Sequence, residues 1–267
     1  MASKHVQHLE SRVGSRLLNR TRRSVSLTES GALYRDRVRP LLDGLDDVEA
    51  RIGQTVVTPR GVLKVSLPIW MANAAFARLL AAYRKGYPEV TLDLDLSGRI
   101  VNLVEEGFDL ALRVTARPEE GLILKKLPGI RFILVASPAF LDHHGRPAAV
   151  TDLNGAPFLA YSPVASDGRI DINRGKDSIK LEFEPVLKSP NETLLLLAAR
   201  EDMGYAMMPR WLVRDDLATG RLEHVMADQI GVTAPLAAVY PNRGYLPAKT
   251  RSFLDFIAAE LAKLELD

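Results

Sequence analysis

The basic side chains of the first 30 residues have the clearest chemistry in this sequence. This segment holds six basic and two acidic residues, whereas the whole chain of 267 residues has a formal net charge of only +2. Clustered positive charge at one end favours contact with a polyanion such as nucleic acid. A solvated helix face is the alternative that charge alone leaves open. The six basic residues are Lys4, Arg12, Arg16, Arg20, Arg22 and Arg23.

Catalytic and metal chemistry have little support in the sequence. The chain has no cysteine, which excludes disulfides and thiolate metal sites. His143 and His144 precede Gly145 where a helix is predicted to end, so their imidazoles are expected near its last carbonyl groups, and no third metal ligand is evident. The sequence has no G-x-S-x-G, P-loop or G-x-G-x-x-G motif. We therefore predict no enzyme activity, no metal site and no cofactor.

The elements that position the basic cluster follow from the spacing of apolar residues. Residues 3–13 predict a short amphipathic helix that ends at Gly14, and residues 24–27 alternate as a strand does. A helix, an apolar turn and a basic strand pair are typical of the second half of a winged helix-turn-helix. Thr28 is a candidate N-cap for the helix that follows.

That next helix is predicted over residues 28–56, a length of about 43 Å at 1.5 Å per residue. Its apolar residues are spaced by four and three positions, which predicts a heptad seam packed on a partner helix. Pro40 removes one backbone hydrogen bond and is expected to kink the helix. We therefore predict that this helix dimerises the chain. The seam residues are Tyr34, Val38, Leu41, Leu45, Val48 and Ile52.

Strands and helices are predicted to alternate after Gly61, which indicates an α/β fold in which parallel strands dominate the sheet. A further short helix is expected over residues 100–106, ended by Gly107. No apolar run approaches the ~18 residues that span a bilayer, and the N-terminus lacks a signal peptide. A cytoplasmic protein without membrane contact is therefore expected. The strands are predicted at 62–67, 90–96, 108–114, 131–136, 158–161, 179–183, 185–188, 205–208 and 235–240, and the helices at 71–85, 138–143, 192–203 and 247–264.

Several motifs, in the same order along the chain, resemble the LysR family of bacterial transcriptional regulators. No single motif is specific, but together they cover essentially the whole sequence. The resemblance implies an α/β fold with a two-lobed, periplasmic-binding-protein-like effector domain, preceded by a long linker helix and a partial winged helix-turn-helix. The matching segments are residues 3–10, 16–21, 26–31, 61–65, 87–90, 106–113, 136–141 and 203–209.

The resemblance also implies a division of the chain. Residues 1–30 correspond to the recognition helix and wing, residues 31–58 to the linker and dimerisation helix, and residues 59–267 to the effector-binding domain. Family members carry two further helices before the recognition helix, so the DNA-binding head is expected to be incomplete and its DNA binding weak and salt-sensitive. Lobe I of the effector domain is expected to comprise residues 59–135 and 236–267, and lobe II residues 136–235.

The resemblance assigns DNA contacts to the N-terminal segment. Side chains near the start of a recognition helix approach the bases of the major groove, and basic side chains beside it contact phosphates. Gln can bind adenine through two hydrogen bonds. The expected groove-facing residues are Ser3, Lys4 and Gln7, and the expected backbone-binding residues are Arg20, Arg22 and Arg23.

The effector is expected between the lobes, at the carboxyl ends of strands and near helix N-termini, which favour a small anion. Arg113 is the first candidate to bind it, with Glu192 as its partner in the unliganded protein. Trp70 either stacks on an effector ring or packs between the lobes, and Arg99 either pairs with a carboxylate or lies exposed in a loop. The expected effector-binding residues are Pro68, Ile69, Trp70, Ser97, Arg99, Ile100, Arg113, Thr115, Tyr161, Pro190 and Asn191.

Two other functions stay open at this point. A periplasmic solute-binding protein has a similar two-lobed domain, although the basic wing and the missing signal peptide argue against it. A sensor that forms mixed dimers with an intact regulator, without reading DNA itself, is the second alternative. The leading prediction is a LysR-type regulator that binds double-stranded DNA and a small effector as a homodimer or homotetramer.

Overall fold

The computed structural model describes residues 2–20, 25–52, 58–117, 119–165, 167–174, 177–242 and 246–263. The chain begins with helix α1 (Ala2–Val13), strands β1 (Leu18–Arg20) and β2 (Val25–Leu27), and helix α2 (Glu29–Ile52). β1 and β2 pair antiparallel. The predicted short helix, strand pair and long helix are therefore confirmed.

Two side chains connect α1, the strand pair and α2. The Glu10 carboxylate accepts hydrogen bonds from the backbone N–H groups of Leu17 (2.7 Å) and Leu18 (3.0 Å), which fixes the turn after α1. The Thr28 hydroxyl donates to the Arg16 carbonyl (2.6 Å) and accepts from the Gly31 N–H (2.9 Å). Thr28 is thus the N-cap of α2, as predicted.

The long helix α2 is continuous through Pro40. Four leucines on it have exposed side chains within a single chain: Leu33 is 58%, Leu41 is 70%, Leu42 is 56% and Leu45 is 54% exposed. Leu41 and Leu45 belong to the predicted heptad seam, whereas Leu33 does not. An isolated chain therefore leaves part of the seam uncovered.

Strands and helices both recur through the rest of the chain, as predicted, although three runs of three or four strands have no helix between them. The prediction that parallel strands dominate is wrong, because the two larger sheets of the described residues contain four parallel and five antiparallel strand pairs. Short 3-10 helices span Ile69–Met71 and Val150–Leu153. The remaining elements are β3 (Gly61–Ser66), α3 (Ala74–Gly86), β4 (Val90–Asp95), β5 (Leu110–Val114), β6 (Leu122–Lys126), β7 (Ile130–Ala136), α4 (Pro138–His144), β8 (Pro157–Tyr161), α5 (Ser162–Ala165), β9 (Arg169–Arg174), β10 (Asp177–Glu182), β11 (Glu184–Ser189), α6 (Glu192–Arg200), β12 (Tyr205–Pro209), α7 (Arg210–Thr219), β13 (Glu223–His224), β14 (Gly231–Ala234), β15 (Leu236–Pro241) and α8 (Ala248–Lys263).

These strands form two larger sheets, each the centre of one lobe. In lobe I the order is β4-β3-β5-β15-β6, with β3 parallel to both β4 and β5. In lobe II the order is β11-β8-β12-β7-β13, with β14 also paired to β7 and with β8 parallel to β11 and β12. On lobe I, α3 packs against α8, where the Tyr83 and Phe253 rings meet edge to face at 5.1 Å.

The predicted boundary between the lobes is wrong at one point. β7 was assigned to lobe I, but it pairs with β12, β13 and β14 in the sheet of lobe II. The chain therefore enters lobe II before Ile130 and returns to lobe I with β15. An apolar run such as β7 would be buried in either sheet. Its sequence therefore indicates burial but not the strand with which it pairs.

The helix predicted over residues 100–106 is also wrong, because residues 103–107 form turns. The Asn102 side-chain oxygen accepts from the N–H groups of Val104 and Glu105, both at 3.2 Å. The Glu106 carboxylate accepts from the N–H of Asn102 at 2.9 Å. Side chains that bind nearby backbone groups in this way compete with helix formation. We call residues 101–107 the lobe I turn.

Candidate functional site

The carboxyl ends of the parallel strands β8, β11 and β12 lie at one edge of the lobe II sheet. Tyr161 ends β8 and is paired with Ser189, which ends β11. The Ser189 hydroxyl accepts from the N–H of Asn191 (3.0 Å), and the Asn191 side chain caps α6 by accepting from the N–H of Leu194 (3.1 Å). Ligands of α/β proteins bind outside such strand ends.

The corresponding edge of lobe I holds the loops after β3 and β4. Asn73 caps α3 by accepting from the N–H of Phe76 (3.0 Å), and its amide donates to the Trp70 carbonyl (3.0 Å). The two loops touch, because a side chain built at Gly98 would meet the Ile69 side chain at 2.8 Å. The predicted residues Pro68, Ile69, Ser97 and Gly98 are thus brought together at one edge.

A pair of tryptophans joins the two lobes. Trp70 and Trp211 meet edge to face with ring centroids 5.8 Å apart, and Phe76 also contacts Trp211 at 6.4 Å. Trp70 is only 2% exposed. Of the two roles considered for Trp70, the structure therefore favours packing between the lobes over stacking on an effector. Trp211 was not predicted as part of this junction.

A buried acidic residue lies at the same junction. Glu192 is in the first turn of α6, is 6% exposed, and lies beside the Tyr161 side chain. Burial raises the pKa of Glu192, and burial together with the neighbouring Glu192 carboxyl raises the pKa of Tyr161 to about 12. The Oε2 atom of Glu192 is buried without a hydrogen-bond partner among the described residues. The 3-10 helix that carries Trp70 packs against α6, so the helix that begins with Glu192 meets lobe I.

Arg113 does not have the partner that was expected for it. Its guanidinium pairs with the Glu119 carboxylate and donates to the Val101 carbonyl at 2.6 Å. The prediction that Glu192 neutralises Arg113 is therefore wrong, because a nearer acid on the loop before β6 does so. Glu119 and Val101 also line a cavity of about 310 Å³ on lobe I. The Arg113 charge is already compensated, which weakens the case for Arg113 as an anion receptor.

The remaining predicted effector residues are mostly exposed. The Arg99 guanidinium is 52% exposed and pairs with Glu106 and Asp95, so it matches the exposed-loop alternative. Ile100 is 80% exposed, and Pro190 lies exposed just before α6. The Thr115 hydroxyl donates to the Arg117 carbonyl at 3.0 Å. Nothing in these contacts assigns an effector to them or excludes one.

One side chain ties the linker helix to lobe I. The Arg37 guanidinium donates to the carbonyl oxygens of Val104 and Glu105 in the lobe I turn, both at 2.7 Å. The same turn is held by Arg99 through Glu106, and Lys64 donates to the Glu106 carbonyl at 3.0 Å. The loop at the lobe edge and the linker helix thus contact consecutive residues of one short turn.

Four of the predicted DNA-contacting residues are described by the structure, and they lie on α1 and β1. Lys4 and Gln7 are exposed on α1, and Ser3 is on the same helix. Arg20 ends β1. Arg22 and Arg23 lie outside the described residues. The structure therefore keeps Lys4 and Gln7 accessible to a partner.

Sequence reasoning missed Glu192 as a site residue in its own right. The available signal was an acidic residue directly after the capping Asn191, at the start of a helix in which residues 194–199 are all apolar. Among the described residues, no cluster of His, Cys, Asp or Glu side chains is suited to hold a metal ion. In the same part of the chain, no helix is both long and apolar enough to cross a membrane.

Comparison with known families and proteins identifies the chain. Residues 58–262 match the LysR substrate binding domain, and residues 1–32 match the bacterial regulatory helix-turn-helix protein of the lysR family. The HTH-type transcriptional regulator CrgA of Neisseria meningitidis (strain 8013) is 31% identical over 260 residues, which are 97% of this chain and 87% of CrgA. An HTH-type transcriptional regulator of Xanthomonas campestris is 29% identical over 97% of this chain and 76% of its own length.

Solved structures agree with these matches. The structure of CrgA from Neisseria meningitidis superposes with a TM-score of 0.69 at 31% identity, covering 97% of this chain and 88% of that one. The full-length virulence activator AphB of Vibrio cholerae gives a TM-score of 0.66 at 25% identity over 97% and 88% of the two chains. These relatives are named as transcriptional regulators rather than as enzymes. The chain therefore belongs to the LysR family of transcriptional regulators, which combine a DNA-binding head with an effector-binding domain.

Proposed function

We propose that the effector of this regulator binds between the two lobes, at the facing carboxyl edges of their sheets. The observation that supports this most directly is the junction where Trp70 meets Trp211, together with the buried Glu192 beside the half-buried Tyr161. Buried polar groups between lobes keep a junction specific for one arrangement or one ligand. The residues proposed to bound the effector are Pro68, Ile69, Ser97, Arg99, Ile100, Thr115, Tyr161, Pro190, Asn191 and Glu192.

We further propose that α1 and the strand pair contact double-stranded DNA. Ser3, Lys4 and Gln7 would meet base edges, because α1 leaves Lys4 and Gln7 exposed. Arg20, Arg22 and Arg23 would bind phosphates and set the register on the duplex. Since phosphate contacts release counterions, the affinity should fall steeply with salt concentration. The chain would act as a homodimer or homotetramer.

The effector signal is proposed to reach the DNA through the lobe I turn. Arg99 extends from the lobe edge to Glu106, and Arg37 of the linker helix contacts the carbonyls of Val104 and Glu105. An effector that draws Arg99 away from Glu106 would loosen the lobe I turn. This would weaken the contact between the turn and Arg37 of α2. Ligand binding can shift such an equilibrium only by interacting differently with the two states.

The experiment begins with selection of DNA fragments by the 267-residue protein, followed by fluorescence anisotropy on the recovered fragment. Gln7→Ala should change the base preference, and Arg20→Ala should weaken binding to all sequences about equally. Ser11→Ala, at an exposed position of α1, serves as the control. Unchanged preference and affinity in both test variants would contradict the proposed DNA contacts.

The proposed effector site is tested with pools of small metabolites added to the same protein–DNA complex. At least one pool should change the anisotropy of the wild type, and Ser97→Trp should abolish that response by filling the space between the lobes. Thr91→Trp, at an exposed position on β4, is the matched control and should respond normally. A response that survives Ser97→Trp would place the effector elsewhere.

A further inference from the structure

The Glu192 carboxyl has an unusual environment for an acidic side chain. It is 6% exposed and lies beside Tyr161, and its Oε2 atom is buried without a hydrogen-bond partner among the described residues. None of the ion pairs found among the described residues includes Glu192, although buried carboxyls elsewhere have one. Asp216, for example, is fully buried and pairs with Arg200 at 2.8 Å. Glu192 is thus a buried acid that lacks a cation.

A buried carboxyl without a counter-charge destabilises the folded protein, so its presence calls for a functional explanation. Burial of a carboxyl oxygen without a partner costs about 1–3 kcal/mol, and more when the group is charged. Perturbed acids in a cleft between lobes are recurrent features of binding sites. A serine or alanine at position 192 would begin α6 without this cost. The position of Glu192 at the lobe junction indicates that an outside group completes its contacts.

The surroundings of Glu192 disfavour an anion. The amides at the start of α6, which would otherwise attract a negative group, are partly occupied: the Ser189 hydroxyl takes the N–H of Asn191, and the Asn191 side chain takes the N–H of Leu194. Arg113, the basic residue expected to attract an anion, is neutralised by Glu119. A carboxylate ligand placed here would meet the Glu192 carboxyl without a compensating charge.

We propose that the effector carries a protonated amine or amidine group that binds the Oε2 atom of Glu192, beside the Tyr161 hydroxyl. This inference rests on the proposed function, because it assigns the chemistry of the same cleft. A cation there supplies the missing counter-charge and at least one hydrogen-bond donor. Charge-assisted hydrogen bonds of this kind are stronger than neutral ones. Tyr161, which neighbours this carboxyl, acts as a positioning residue.

The test uses three probes of similar shape and different charge: benzylammonium, benzyl alcohol and benzoate. Calorimetry on the full chain should show benzylammonium binding with a Kd on the order of 1 mM, as befits a fragment held mainly by one ion pair. Benzyl alcohol should bind at least about tenfold more weakly, and benzoate not measurably. Stronger binding of benzoate than of benzylammonium, or no binding of benzylammonium up to about 50 mM, would overturn the proposal.

Matched variants assign the effect to one side chain. Glu192→Gln keeps the shape and should weaken benzylammonium at least about tenfold, whereas Glu192→Asp should keep the preference for the cation over benzoate. Glu201→Gln, at the exposed far end of α6, should bind like the wild type. If Glu192→Gln does not fold, the proposal is still tested by whether Glu192→Asp and the wild type bind benzylammonium more tightly than benzoate. Equal binding of the cation by Glu192→Gln and wild type would refute the assignment.

The two proposals fail in distinguishable ways. If metabolite pools change DNA binding but only neutral or anionic pools do so, the effector site stands and the cation assignment falls. If no pool changes DNA binding while benzylammonium binds in a Glu192-dependent manner, the cation site is supported. The proposal that this cleft regulates DNA binding is then contradicted.

Discussion

At the residue scale, the buried Glu192 carboxyl makes the stability of the protein depend on pH in a defined direction. Burial raises its pKa above the ordinary value of 4.5, so the folded state binds this proton more tightly than the unfolded state does. The stabilising effect of the bound proton is fully present below the ordinary value and is lost as the pH rises through the folded pKa. Tyr161, the titratable group that faces Glu192, stays neutral over this range because its pKa is about 12.

Glu192→Gln should therefore stabilise the unliganded protein at high pH. Glutamine is neutral at every pH, so the Tm of the variant minus that of the wild type should grow between pH 5 and pH 8. A difference of about 1 kcal/mol at pH 8 corresponds to roughly 3 °C in Tm. Thermal unfolding measured across this range checks the prediction, with Glu201→Gln as an exposed control. A difference that is constant with pH would mean that Glu192 is ionised in the folded protein at all these values.

Gly31 is the residue on which the contact between the head and the linker helix depends most directly. A Cβ atom at this position would lie 1.9 Å from the carbonyl oxygen of Leu17, a distance that no side chain tolerates. Leu17 is 5% exposed and lies between α1 and β1. The glycine thus lets the start of α2 approach the backbone of the turn that Glu10 and Thr28 also hold.

Gly31→Ala should consequently loosen the head without affecting the lobes. Accommodating the methyl group requires a backbone shift, which costs about 1–3 kcal/mol. Hydrogen exchange should become faster at the amides of Leu17, Leu18 and Thr28, with no change in α3 or α8. Gly86→Ala is the control, because a Cβ there meets nothing within 4 Å. Unchanged exchange in the head of Gly31→Ala would show that the close approach does not persist in solution.

At the element scale, the lobe I turn is the link between α2 and the effector domain, and Arg37 can be tested directly. Arg37→Ala removes two hydrogen bonds to the carbonyls of Val104 and Glu105. Amide exchange in residues 102–106 should rise on the order of tenfold, which corresponds to about 1.4 kcal/mol of lost protection. Arg37→Lys keeps the charge but not the forked donor geometry, so it should show a smaller increase. Equal amide exchange in the wild type, Arg37→Ala and Arg37→Lys would show that Arg37 does not couple the effector domain to the linker helix.

The elements that could be predicted from the sequence are those whose apolar residues recur at regular spacing or whose ends are marked by a capping residue or glycine. The helices α1, α2, α3 and α8 and most strands were predicted within a few residues, because their burial patterns are set by the spacing of apolar side chains. The sheet to which β7 belongs could not be predicted, since long-range pairing leaves no local trace. α7 was missed because its first turns mix Trp211 with charged residues, and its buried Asp216 is explained only by the ion pairs with Arg200 and Arg221.

The candidate site was predicted less completely than the fold, for a related reason. The strand-end rule selected Pro68, Ser97, Tyr161 and Asn191, which the structure places at strand ends or in the loops that follow them, because the rule depends on topology. It did not indicate charge partners: Arg113 was paired with Glu192, whereas a loop residue, Glu119, is its partner. Ion pairs between loops depend on loop conformation, which the spacing of residues does not determine.

At the scale of the whole molecule, the exposed leucines of α2 require a partner. Leu41 and Leu45 are 70% and 54% exposed in the single chain, and they belong to a heptad seam of the kind that pairs helices. LysR-type regulators form oligomers, so a second copy of α2 is the proposed partner. Burial of this seam also brings two heads close together, which suits two adjacent DNA half-sites.

Leu45→Asp should convert the assembled protein into smaller species. A carboxylate in an apolar helix interface loses its hydration without gaining a cation, at a cost of several kcal/mol per dimer. Sedimentation velocity on wild type and variant measures the change, and Leu33→Asp is the matched control, because Leu33 is 58% exposed on the same helix but lies off the seam. A dimer that remains after Leu45→Asp would indicate a second interface between effector domains, since tetramers need two kinds of contact. Identical sedimentation of the two aspartate variants and the wild type would show that α2 does not hold the assembly.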